Sequence, residues 1–129
     1  MNGYETKIKY ASRDLTAKER IRIKDFSHAL QLDDAVLPDQ PLVIDYDFHV
    51  IVDVHNEHTK SGNKDYTKTV ICDKAGNSFV TGSESFTTAM SDILDEMNEF
   101  DPDGDISLEC YKVPSKNFQG KCFLTCTIA

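Results

Sequence analysis

The chain contains no tryptophan, only four prolines and six glycines among 129 residues, and no CxxC pair among its four cysteines. So little Pro and Gly excludes collagen-like and low-complexity chains. Cysteines this scattered exclude a dense disulfide scaffold and a zinc-ribbon spacing. Cys72, Cys110, Cys122 and Cys126 are therefore expected to be buried free thiols in a reducing compartment. No apolar run reaches the ~18–20 residues needed to span a bilayer, so no membrane partner is expected. Met1-Asn2-Gly3-Tyr4 lacks the basic head and apolar stretch of a signal peptide, which predicts a cytoplasmic protein. What is present suits one domain over 1–129, with a 40% hydrophobic fraction to build its core.

Positive charge is also scarce, the net charge being −8, and its placement says more than its sum. Seven of the fourteen bases (Lys7, Lys9, Arg13, Lys18, Arg20, Arg22, Lys24) lie in residues 1–24. Eight acids and no base lie between Asp92 and Glu109. The chain is polarised, and only its acidic part is unsuited to phosphates.

From Leu42 to Val54 every even position is apolar: Leu42, Ile44, Tyr46, Phe48, Val50, Val52, Val54. Period two over this length predicts a long strand with one face in the core and a wet face holding Asp45, Asp47, His49 and Asp53. A shorter strand follows over Tyr66–Cys72, then a hairpin turn at Asp73-Lys74-Ala75-Gly76-Asn77, then a strand over Ser78–Thr81. Phe86, Ala89, Met90, Ile93, Leu94, Met97 and Phe100 recur at three and four, which predicts an amphipathic helix capped by Thr81 or Ser83. Two last strands are expected over Ile106–Val113 and Phe118–Ile128, with Phe118, Gly120, Cys122, Leu124, Cys126 and Ile128 facing inward.

The fold expected is mainly β: an OB-like five-stranded barrel over 41–129, with one α-helix between the third and fourth strands. Residues 1–40 are a basic N-terminal extension. Within it Thr16 and Glu19 offer a capping box, while Ile21 and Ile23 alternate with Arg20, Arg22 and Lys24 like a strand with a basic face.

OB-folds take oligonucleotides on the face of strands two and three, with the loops joining strands one to two and four to five. Six of the seven bases beyond residue 24 fall near those loops: Lys60, Lys64, Lys68, Lys112, Lys116 and Lys121. Tyr66, Tyr111, Phe118 and Phe123 accompany them as stacking candidates. Bases stack on such rings for ~1–3 kcal/mol each with little regard to identity, while lysines neutralise phosphate. Tyr111 and Phe123 lie on otherwise polar strand faces, either open for stacking or covered by residues 1–40.

His49, His55 and His58 lie close in sequence with Asp53 and Glu57, but their placement and the lack of a nearby Cys do not make a zinc site. Asp101-Pro102-Asp103-Gly104-Asp105 begins like a calcium loop, yet Ile106 and Lys112 stand where Gly and Glu are required. No G-x-S-x-G, P-loop or H-E-x-x-H motif is present, so no enzyme, metal or cofactor is expected.

From about residue 50 the chain resembles the small single-stranded DNA-binding proteins of bacteriophages and mobile elements of Gram-positive bacteria. The residues concerned are Thr59-Lys60-Ser61-Gly62-Asn63-Lys64, the hairpin Asp73 to Ser78, the helix Ser85 to Met97 and the Lys/Gly/aromatic run Lys116 to Leu124. The resemblance implies sequence-tolerant coating of single-stranded DNA, or RNA, in replication or recombination, often cooperatively as a homo-oligomer and without a cofactor. The chain departs from many such proteins in ending on Ile128-Ala129 rather than an acidic tail. The alternative expectation is an acidic protein-interaction or nucleic-acid-mimic module acting through Asp92 to Glu109.

Overall fold

The computed structural model describes residues 4–26, 29–58, 62, 64–114 and 122–129. The predicted long strand is present as β3 (Leu42–Asn56), after β1 (Tyr4–Ala11), α1 (Ala17–Lys24), β2 (Leu30–Gln31) and the single turn α2 (Leu32–Ala35). It is followed by β4 (Asp65–Asp73), β5 (Ser78–Thr81), α3 (Glu84–Phe100), β6 (Ile106–Pro114) and β7 (Cys122–Ile128). The β-β-β-α-β-β order from residue 42 is as expected. Residues 115–121, where the last strand was expected to start, lie outside the described residues.

The strands form one curled mixed sheet, a half-barrel, in the order β2-β5-β4-β3-β6-β7, with β1 also on β3. β3 organises it. One edge pairs with β4 throughout Tyr46–His55. The other edge pairs first with β6 over Leu42–Tyr46 and then with β1 over Val50–Asn56.

The register against β4 shifts between Tyr46 and Phe48, so Asp47 is an extra residue, a β-bulge. One extra residue exchanges the two faces of everything beyond it. Ile44 and Tyr46 therefore join a core with Ile71, Phe79, Phe86, Met90, Leu108, Cys110 and Leu124, on the side that α3 covers. Phe48, Val50, Val52 and Val54 join a second core on the opposite side with Val70, Cys72, Val80 and Ile23 of α1. The unbroken even-numbered pattern thus serves two cores rather than the one expected. His49, expected on a wet face, is buried instead.

The segment from residue 17 to 24 is helical, not strand-like. The Thr16 hydroxyl accepts from Glu19 N at 3.2 Å, and the Glu19 carboxylate accepts from Thr16 N at 2.9 Å. This completed capping box starts the helix, and two isoleucines are too few to hold a strand against it. Ile23 is buried, whereas Ile21 is 70% exposed. At the second long helix the N-cap is Ser83, which accepts from Phe86 N at 3.2 Å. Thr81, the last residue of β5, instead donates its hydroxyl to Asp33 at 2.6 Å and accepts from Ser83 N at 3.1 Å.

The described residues among 1–40 are therefore part of the sheet and its cores. β1 extends the sheet, α1 covers the second core, and β2 pairs in parallel with β5. Leu32 and Val36 are fully buried in the first core. Among the described residues β5 and β7 do not pair, and this short segment occupies the seam between them. Asp33 ties the seam: its carboxylate accepts from Thr81, and its carbonyl accepts from Lys112 Nζ at 2.5 Å.

The Asp73 turn forms as predicted. Asp73 Oδ1 accepts from Ala75 N and Asn77 N, and Gly76 takes φ +93°. Three cysteines are buried free thiols, but Cys122, expected inside, is exposed, as is Ile128. Both lie at ends of β7, beyond the reach of the core. Among the described residues no helix is long and apolar enough to cross a membrane.

Candidate functional site

The expected interface was the outer face of the second and third barrel strands, which are β4 and β5. The structure covers much of that face. Val70, Cys72 and Val80 point outward from these strands and are buried with Ile23, against which Leu15, Phe26 and Ala29 also pack. Tyr66 is half-buried at the edge of the same cluster, and Lys68 Nζ lies 5.8 Å from the centre of its ring.

The predicted residues fall into two groups at opposite ends of β3. Lys64, Tyr66 and Lys68 are near its C-terminal end, where Val54 pairs with Tyr66 and Val52 with Lys68. Lys64 is already ion-paired to Glu57 at 2.8 Å, within a loop tie in which His55 contacts both Asp65 and Glu57 at 2.6 Å. These carboxylates hold the His55 pKa above the ordinary value, Asp65 contributing most.

Tyr111, Lys112 and Phe123 are at the other end, on strands that run beyond Leu42, the partner of Cys110. Lys112 faces the seam and is anchored to Asp33. Tyr111 and Phe123 face outward, the latter 42% exposed beside its cross-strand partner Val113. α1 packs over the opposite end of the outer face and leaves Phe123 exposed. Lys60, Lys116, Phe118 and Lys121 lie outside the described residues.

The basic surface that sequence reasoning missed is α1 itself. Lys18, Arg20, Arg22 and Lys24 are exposed on a helix whose buried contact is Ile23. Among the described residues none of the four has an ion pair, whereas Arg13 is held by Glu19 at 2.7 Å and stacks 3.8 Å above Phe48. α3, on the opposite side of the sheet, carries Glu84, Asp92, Asp95, Glu96 and Glu99 and no base. The charge asymmetry of the sequence thus becomes two sides of one sheet. The capping box could have revealed this, since helical spacing places Lys18 beside Arg22 and Arg20 beside Lys24.

A cleft of about 690 Å³ opens on the α3 side, where β3 exchanges β6 for β1. At its base the Tyr46 hydroxyl lies 2.8 Å from His49 Nδ1 and 3.3 Å from Ser12 Oγ, which also accepts from His49 N at 2.9 Å. Burial pushes the His49 pKa down and the Tyr46 pKa up. Both side chains are therefore neutral at neutral pH.

No protein-family model matches the chain, and no curated protein or solved structure matches it.

Proposed function

We propose that the protein binds single-stranded DNA without strong sequence preference, using the side of the sheet that carries α1. The observation that carries this reading is the group of four exposed bases on α1, unpaired among the described residues of a chain whose net charge is −8. Tyr111 and Phe123 face outward on the same side of the sheet and supply stacking surface beyond the helix. The finer fold reading that suits this function is an OB-like five-stranded barrel of β3 to β7. In it residues 30–36 fill the seam that direct pairing of the third and fifth strands would close.

The site differs from the one expected at sequence level, because α1 lies where an oligonucleotide would meet β4 and β5. Positive charge is instead presented from the helix laid over them. Replication or recombination of a phage or mobile element is the corresponding cellular setting.

Fluorescence anisotropy with labelled oligo-dT at several salt concentrations tests the reading. Four phosphate contacts on a single strand give a log–log salt slope of about −3, and reversing Lys18 and Arg22 to Glu should reduce its magnitude by about half. Absence of binding at low salt overturns the proposal. It would leave the acidic face of α3, with Phe100 73% exposed at its end, as the surface favoured for contact with a basic protein.

A further inference from the structure

His49 is only 7% exposed, yet one of its ring nitrogens has no protein partner among the described residues. With the Tyr46 hydroxyl donating to Ser12 Oγ at 3.3 Å, its oxygen is free to accept from His49 Nδ1–H at 2.8 Å. That arrangement is the tautomer with the ring proton on Nδ1 and a lone pair on Nε2, and it is the one taken for the proposal. Among the described residues no fully enclosed side-chain nitrogen or oxygen lacks a partner, so Nε2 retains accessible surface, and the cavity that His49 lines is the cleft. A buried ring held by the Tyr46 hydroxyl, on a residue whose backbone N–H is held by Ser12 Oγ, with one acceptor directed into a cavity is a prepared contact.

The surroundings define what would meet it. The Tyr10 ring stands 5.6 Å from His49, centre to centre, and Ile51, Leu94 and Met97 supply apolar wall. Asp47, Asp95 and Asp101 line the same cleft, and Arg13, its one cationic side chain among the described residues, is already committed to Glu19 and Phe48. The C-terminal end of α3 also borders the cleft, with no basic residue in its last turn, so its carbonyl dipoles add to the negative potential. Phosphates and carboxylates are repelled here. A compact ammonium would leave the aromatic wall poorly covered, whereas a flat cation with several in-plane N–H donors satisfies ring, carboxylates and Nε2 together.

We propose that this cleft binds a guanidinium or amidinium group, donating to His49 Nε2 and to Asp95 or Asp101 while lying against Tyr10. The group would come from a small molecule or from an arginine side chain of a partner polypeptide. Because the cleft is on the side of the sheet opposite α1, the proposal stands apart from nucleic-acid binding.

Titration of the full chain with benzamidine, followed calorimetrically and by the NMR signals of the His49 ring, tests it. Benzoate, nearly the same shape with opposite charge, is the control. Benzamidine should bind saturably and shift the His49 signals, and benzoate should do neither. The exposed double variant Asp95→Asn/Asp101→Asn should bind benzamidine at least about tenfold more weakly, the equivalent of one lost charge contact. Tighter binding of an acetyl-Gly-Arg-Gly-amide peptide than of methylguanidine would assign the cleft to a polypeptide; the reverse order would assign it to a small molecule. Equal binding of benzoate, undiminished binding by the double variant, or an unmoved His49 ring overturns the proposal.

Discussion

At the scale of single residues, two histidines six positions apart on one strand have opposite electrostatic surroundings. His49 is desolvated and its pKa is lowered, so protonation is resisted by the folded state. Between its folded value and the ordinary one near ~6.5 the unfolded chain binds more protons, and acidification through that window costs stability. His55 is the reverse: Asp65 and Glu57 raise its pKa, and the contribution present below the ordinary value is lost as pH rises through the folded one. An NMR titration of the two rings should give a His49 midpoint below ~6.5 and a His55 midpoint above it. Coincident midpoints would contradict both assignments. The difference was not legible in the sequence, where His49 stands on the wet face of the alternating run and His55 just beyond its end, both read as exposed. What separates them is their neighbours: the Tyr10 and Tyr46 rings flank His49, whereas His55 lies between the carboxylates of Asp65 and Glu57.

At the scale of elements, the sequence was informative wherever a pattern was local. The period of Phe86 to Met97, the turn at Asp73 and the cap at Thr16 all formed as their chemistry requires. It was misleading where a neighbour distant in sequence decides. Thr81 has the right spacing for a capping box, but it ends β5, where its hydroxyl donates to Asp33, 48 residues away, and accepts from Ser83 N rather than from the first turn of the helix. Residues 30–36 carry no periodicity long enough to announce a structural role, yet Leu32 and Val36 close the first core. Truncation at Leu32 measures that role. Leu32→Ala should lower unfolding free energy by about 2–5 kcal/mol in urea titration, the range for deleting a fully enclosed leucine side chain. A change within experimental scatter would restore the view of residues 1–40 as an appendage.

At the scale of the whole molecule, the sheet acts as a partition between fields of opposite sign. α1 presents four bases on one side, and α3 presents five acids on the other. Net charge alone argues against a polyanionic partner, but a strand approaching the α1 side meets positive potential first, and the Debye length of ~8 Å at physiological salt screens the far side. The candidate site was half legible for the same reason. The basic run at residues 1–24 was plain in the sequence, whereas its lodging over β4 and β5 depends on Ile23 entering a core that only the folded sheet creates.

The bulge at Asp47 has a consequence for how this chain can vary. Phase along β3 is set by a count of residues, so substitution and deletion at this point are unequal events. Asp47→Ala keeps the count, and the exposed side chain contributes little to either core. Deleting Asp47 would turn Phe48, Val50, Val52 and Val54 toward α3 and send His49 and Ile51 under α1, inverting half the strand in one step. The substituted protein should melt cooperatively like the parent, and the shortened one should show no cooperative transition by circular dichroism. Lineages of this chain should therefore accept many side chains at position 47 while holding the length between Tyr46 and Phe48 constant.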